Sequence, residues 1–389
     1  MLFYIIKIFF HFLIFFWFLI FILLFILKRN MTSRTLQSPI FALYIIGNNI
    51  IVASGGGNVK YGVKNKLLLF NIKGGNLSEA IFEKEMGNDI PIFISGIPEK
   101  NIFLTCINNK TVFYLISNNK FEQIYEFKSI ETFSEDIFQS CVSIDKEDLC
   151  TGSSTGELKY YNIKINNNKI ESINLISSNL NAHLRIINNL IIIKKEKYKF
   201  VVTASGDGTC KVFDIYSNNI KIKELSKFSF RETLTETANY FMRDILYDSN
   251  SENIFTLQSP LRGNTYLTKW SFKNVNLITP LKTVEICAAT GFSCAMTNNK
   301  NLIGITNSEG SIIFVDCNEM KINSKISLGE NMIKCGMFYQ DQYYITGSID
   351  NCLRSSVAKY NGFNYFSFIF KFIIFGLICF DIYRRKYRE

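Results

Sequence analysis

One pattern recurs along the middle of this chain and limits what it can fold into. It consists of an apolar run of strand length, a turn of small residues, and a second run carrying an aromatic. The clearest copy spans Phe200 to Ile215, with the turn Ser205-Gly206-Asp207-Gly208 between its two runs. Further copies lie at Leu149 to Ile163, Leu302 to Asp316 and Tyr343 to Arg354, and weaker ones at Phe103 to Ile116 and Ile254 to Phe272. Residues Ile50 to Ile72 supply the first copy, which makes seven units at a spacing of about fifty residues between positions 40 and 360. A repeat of roughly forty to fifty residues with a Gly-Asp-Gly turn is the mark of a propeller blade. A single four-stranded blade cannot cover both of its faces, whereas a ring of blades buries each face against its neighbour. Only 5 prolines and no long amphipathic helix agree with an all-β domain. The expected fold is therefore a seven-bladed WD40-type β-propeller over residues 36–360. A ring must also be closed, and Ile40 to Ile46 are expected to provide the missing outer strand of the last blade. Asp207, with Gly206 and Gly208, is expected only to shape its turn, because Asp and Gly tolerate left-handed backbone angles.

Both ends are strongly apolar. Leu2 to Leu27 is interrupted only by Lys7 and His11 and is followed by Lys28-Arg29. A run of that length can span a bilayer, and without a small-residue cleavage site it reads as a signal anchor. The alternative is that Met31 is the true start and residues 1–30 are a mis-assigned upstream segment. Near the other end Phe363 to Phe380 is a second apolar run that contains Lys371, flanked by Asp381, Arg384, Arg385, Lys386 and Arg388. A mid-span lysine costs about 2.5–3.5 kcal/mol on insertion scales, which the surrounding Phe, Ile and Leu offset. Residues 361–381 are expected to form a transmembrane anchor, with 382–389 as a short basic tail; an amphipathic interfacial helix is the other reading. A lumenal basic tail would run against the positive-inside tendency.

Net charge is +10, but Lys, Asn, Ile, Phe and Tyr are enriched together and there is no Arg-rich block. The excess reads as compositional bias, and no nucleic-acid partner is expected. The 10 cysteines are scattered singly with no C-x-x-C pair, which points to small buried thiols in a reducing compartment. Of the two histidines, His11 lies in an apolar run and His183 in a polar loop, where a surface role is expected. A His-based catalytic triad or metal site is not expected, and no catalytic residue is assigned.

The first copy differs from the others. Its two runs are joined by about a dozen residues, among them Gly55, Gly56, Gly57 and Gly62, where an ordinary hairpin uses two to five. Retaining four glycines in one connection is entropically costly and implies unusual backbone angles or close approach to another group. Three readings compete. A phosphate-binding loop is disfavoured, since Lys60 is followed by Tyr61 and no helix follows. A long disordered connection is the plain reading of the local sequence. The third is an ordered insertion that docks on a partner, with carbonyls turned inward to hold a cation, Asn58 and Asn65 adding side-chain oxygens, and Val59 and Tyr61 presented outward.

The loop resembles the signature of the endoplasmic-reticulum exchange factors for Sar-type GTPases, the family of the prolactin regulatory element-binding protein and its fungal secretory counterparts. The motif G-G-G-G-x-x-K-x-G-x-x-N is read here from Ser54 to Asn65; six of its seven fixed positions match and Ser54 departs. Ser38 to Tyr44 resembles the segment leading into the family's first blade, and Tyr266 to Trp270 belongs to the propeller part of the likeness, which covers about residues 36 to 381. The resemblance implies a cytosol-facing propeller held in the endoplasmic-reticulum membrane by a C-terminal helix. It implies a loop ordered by a potassium ion that promotes GDP release from a Sar-type small GTPase and so starts COPII coat assembly and ER-to-Golgi transport. Coat components are further implied partners. Asn58, Val59, Lys60 and Tyr61 would then contact the GTPase, while Ser54, Gly55, Gly56, Gly57, Gly62 and Asn65 shape the loop and any cation cage, with no organic cofactor. Exchange requires no covalent chemistry, so the chain is not expected to be an enzyme in that sense. The family has no N-terminal transmembrane run, which favours Met31 as the start. A membrane-anchored scaffold in vesicle transport, without exchange activity, is the alternative.

Overall fold

In every repeat the second strand is buried along most of its length, whereas the outermost strand of a blade such as the first leaves much of itself to solvent. That difference dictates their places in a sheet. Ile102–Ile107, Asp148–Ser153, Asn253–Ser259 and Leu302–Asn307 are buried along their whole length, as strands covered on both faces must be. Asn76–Gly87 buries few of its residues and leaves its charged ones to solvent, as befits an outer edge.

The computed structural model describes residues 31–57, 62–132, 134–215, 222–230, 239–329 and 331–358. Both apolar ends and the expected membrane anchor lie outside them. Within the described residues no helix is long and apolar enough to cross a membrane.

The described chain forms seven antiparallel four-stranded sheets. Strand β1 is Met31–Thr35. Blade 1 is β2 (Ile40–Ile46), β3 (Asn49–Ser54), β4 (Asn65–Lys73) and β5 (Asn76–Gly87). Blade 2 holds β6–β9 (first strand Pro91–Ile97), blade 3 β10–β13 (Gln139–Asp145) and blade 4 β14–β17 (Ile187–Lys195). Blade 5 holds β18–β21 (Phe241–Asp248), blade 6 β22–β25 (Gly291–Met296), and blade 7 β26 (Ile333–Tyr339), β27 (Tyr343–Ser348) and β28 (Cys352–Val357). Each blade's first strand touches the first strand of the next, and β26 touches β2, so the seven first strands ring a central channel. One apolar core fills each junction between adjacent blades. At the junction of blades 4 and 5, fully buried Trp270 packs on Phe228 and donates its indole N–H to Thr256 Oγ1 at 2.7 Å. The buried Asp244 carboxylate ties three blades together, accepting from Asn189 of blade 4 and from the Cys294 amide of blade 6 at 2.7 Å.

The ring closes differently from the sequence expectation. Ile40–Ile46 is the innermost strand of blade 1, with Ile40 and Ile46 buried. The outer strand of blade 7 is β1, which pairs with β28 from Met31↔Ser356 to Thr35↔Cys352. The physical reason is burial: an apolar run such as Ile40–Ile46 belongs at the covered inner position, and the polar Met31–Thr35 suits an exposed edge. Arg34 then fastens the closure to blade 1, donating to Leu77 O at 2.8 Å and Ser78 O at 3.0 Å.

Candidate functional site

The glycine-rich connection leaves β3 after Ser54 and rejoins the sheet at Asn65, so it comprises residues 55–64. The flanking strands stay in register up to its base, where Ser54 opposes Lys66. Its tip, Asn58 to Tyr61, carries the four residues expected to contact a partner and lies outside the described residues. Both legs are described, and their geometry accounts for most of the glycines.

Asn65 organises the base. It is fully buried, and its side-chain amide clasps the backbone of Gly57 across the loop. The Gly57 N–H donates to Asn65 Oδ1 at 3.2 Å, while Asn65 Nδ2 donates to Gly57 O at 2.7 Å and to Gly87 O at 3.0 Å. This close crossing leaves no room for side chains on the first leg. A Cβ on Gly55 would lie 2.0 Å from Asn65 Oδ1, and one on Gly56 would lie 2.4 Å from Val63 Cβ. Gly57 and Gly62 instead have left-handed backbones, with φ of +84° and +74°. The Gly55 amide donates to Pro39 O at 2.9 Å, and Ser38 Oγ donates to the buried Ser54 Oγ at 3.1 Å. Ser54 thus faces the segment entering blade 1 and does not reach into the loop.

Charges flank the base in matched pairs. Lys64 meets Glu85 at 2.7 Å on the exposed side. Lys66, almost wholly buried, pairs with Glu83 and donates to Gln37 Oε1 at 3.2 Å. A cavity of about 170 Å³ opens beneath the base, lined by Arg34, Gln37, Ser54, Lys66, Glu79 and Glu83 among others. The two carbonyls gathered at the base, Gly57 O and Gly87 O, converge on an amide N–H₂. In the described part of the loop a donor therefore occupies the place a cation would take between them, and this donor set does not fit a potassium ion. Sequence reasoning missed Gly87 O and Pro39 O, since backbone groups brought in by other strands leave no sequence signal.

Elsewhere the sequence expectation for His183 is corrected. Its side chain is fully buried, with Nδ1 3.0 Å from Asp207 Oδ2 and Nε2 2.7 Å from Thr203 Oγ1. Burial alone would push the Asp207 carboxyl up, but hydrogen bonds from His183 and Thr209 hold it well below the ordinary carboxylate range. Asp207 therefore both shapes its turn, through Thr209 N at 2.9 Å, and locks blade 4 to the connection from blade 3. Of the nine described cysteines six are buried, and burial pushes the thiols of Cys106, Cys150, Cys210 and Cys294 up.

The chain is similar in structure to the WD40 β-propeller domain of Doa1, with a TM-score of 0.63 at 13% identity, covering 84% of this chain and 96% of that one. It is also similar to Saccharomyces cerevisiae Sqt1, with a TM-score of 0.59 at 13% identity, covering 84% of this chain and 98% of that one. The fold is that of a WD40 β-propeller. At that identity the likeness speaks to fold alone. No family model matches the chain, and no curated protein matches it. The feature that sets blade 1 apart from the other blades is the braced loop between β3 and β4.

Proposed function

We propose that this protein is a guanine nucleotide exchange factor for a Sar-type small GTPase, acting at the endoplasmic-reticulum membrane with its propeller toward the cytosol. The observation that carries the reading is the loop between β3 and β4. It matches the exchange-factor motif at six of seven positions, and its two legs are crossed and hydrogen-bonded at the base. A base braced in this way leaves less of the loop's ordering entropy to be lost on binding.

The mechanism is linkage. A loop that binds the nucleotide-free GTPase more tightly than the GDP-bound form weakens GDP by the same factor. Asn58 and Val59 at the tip make the decisive contacts in this reading, with Lys60 and Tyr61 beside them. Gly55, Gly56, Gly57, Gly62 and Asn65 hold the tip in place. No proton or covalent bond moves through the protein, and nucleic acid has no part. Anchoring through residues 361–381 would keep the propeller where coat components assemble. The potassium ion has no assigned step, since Asn65 Nδ2 already gathers the carbonyls at the base.

The test is GDP release from a purified Sar-type GTPase, followed by fluorescent-nucleotide displacement. The wild-type chain should accelerate release, and Asn58→Ala with Val59→Ala should abolish most of the acceleration while leaving the melting curve unchanged. Release at the unassisted rate with the wild-type chain would leave a membrane-tethered scaffold as the function.

A further inference from the structure

The chain enters and leaves the propeller at one corner of one face. The glycine-rich loop joins the end of a second strand to the start of a third, so second strands begin and third strands end on the opposite face, as Tyr343↔Val357 shows in blade 7. Strand β28 ends there at Val357, and β1 begins beside it, with Met31 opposite Ser356. Ala358 N donates to Gln342 O at 2.8 Å, which places the exit beside the turn between β26 and β27. Residues 358–362 separate Val357 from the apolar run Phe363 to Phe380, and residues 28–30 separate Met31 from the run that ends at Leu27. The longer of these stretches, fully extended, reaches about 20 Å at most. Whichever run enters a bilayer, this corner of the propeller is held within that distance of it.

The same face carries an arc of exposed apolar side chains across blades 4 to 6. Tyr198 opens β15 (Tyr198–Ser205), and Leu277 lies in the turn before β21 (Thr279–Cys287). Leu281 lies near the start of β21, and Ile322 opens β25 (Ile322–Ser327). All four are exposed, Leu277 at 64%. Two lysines that donate to backbone carbonyls join these turns into one surface. Lys195 Nζ donates to Lys273 O at 3.3 Å between blades 4 and 5, and Lys282 Nζ to Glu319 O at 2.6 Å between blades 5 and 6. Among the described residues Lys197, Lys273 and Lys282 pair with no carboxylate, and Lys197 Nζ lies 5.3 Å from the centre of the Tyr198 ring. Glu196 is the exposed acid that shares the blade 4 turn with them. Exposed leucine and tyrosine interleaved with lysine suit a lipid interface, where apolar side chains enter the headgroup layer and ammonium groups meet anionic lipid. Leucines are exposed on the loop face too, Leu184 among them, but neither apolar run joins the fold there.

We propose that the exit face of blades 4 to 6 docks on a bilayer of anionic phospholipid, with Leu277 and Leu281 in the headgroup layer and Lys197 and Lys273 on the lipid charges. The glycine-rich loop is then turned away from the membrane. This docking rests on the membrane anchor of the proposed function and is independent of nucleotide exchange.

Full-length protein reconstituted into liposomes of phosphatidylserine and brominated phosphatidylcholine tests it. The tryptophan introduced by Leu277→Trp should be quenched by the brominated lipid and shielded from aqueous iodide. The one introduced by Leu184→Trp, on the opposite face, should show neither effect, each read as the difference from the unsubstituted chain. Replacing phosphatidylserine by neutral lipid, or Lys197→Gln with Lys273→Gln, should reduce the Leu277→Trp quenching by about half or more. Equal quenching at the two positions, or quenching that ignores both lipid charge and the lysine substitutions, overturns the docking. Extraction with alkaline carbonate reads the anchor separately. Protein stripped from the liposomes overturns anchor and docking together, whereas retained protein with unquenched Leu277→Trp overturns the docking alone.

Discussion

Replacing Asn65 by Asp changes one group at the base of the glycine-rich loop and almost no volume. The oxygen that accepts from the Gly57 amide is kept. The N–H₂ that donates to Gly57 O at 2.7 Å and Gly87 O at 3.0 Å becomes an oxygen facing two carbonyl oxygens. Each buried acceptor left without a donor costs about 1–3 kcal/mol, and some relaxation is available because Gly57 is only partly buried, so Asn65→Asp should destabilise by about 2–4 kcal/mol at pH 8. Asn65→Ala, which opens space for water, should cost about 1–2 kcal/mol. The introduced carboxyl is buried beside acceptors, so its pKa in the folded state rises above the ordinary value of about 4. A raised folded-state pKa means the variant is least impaired below that ordinary value and loses stability as pH climbs through the folded one. The deficit should therefore be larger at pH 8 than at pH 5. Urea denaturation followed by circular dichroism at both pH values measures it, and amide exchange of Gly57 reports the loop directly. Wild-type stability of the variant at pH 8 would show that the Asn65 amide does not brace the loop.

Three further outcomes follow from the same geometry. Deleting residues 31–35 removes the outer strand of blade 7 and the Arg34 clamp on blade 1, and should lower the melting temperature by about 10 °C or more; an unchanged melt would contradict the closure. His183→Ala strips partners from buried Thr203 and Asp207 and should cost about 2–3 kcal/mol in urea, whereas a cost near zero would mean the bonds are incidental. Burial would raise the Asp350 carboxyl, but Arg354 and Ser348 hold it down to about 2. Its stabilising contribution is complete above the unfolded value of about 4 and is lost as pH falls from there toward 2. Asp350→Asn should flatten the acid side of the stability profile, and parallel profiles for the two proteins would refute that.

The propeller was legible in the chain because its determinant is local and repeated. Each blade's second strand must be covered on both faces, and the copies from Ile50 to Ile72 through Tyr343 to Arg354 each repeat such a strand with its own turn. The glycine-rich loop stood out for a similar reason: Gly57 and Gly62 answer to backbone angle, and Gly55 and Gly56 to a close crossing, and both demands exclude other residues in the sequence itself. What tertiary structure alone decided are the long-range pairings. Whether Met31–Thr35 or Ile40–Ile46 closes the ring depends on which edge remains open after seven blades have packed. His183, polar and in a loop, is buried because the next blade's Asp207 and Thr203 arrive to satisfy it. Sequence fixes what each segment can cover, and the circular arrangement fixes which distant groups end up facing one another.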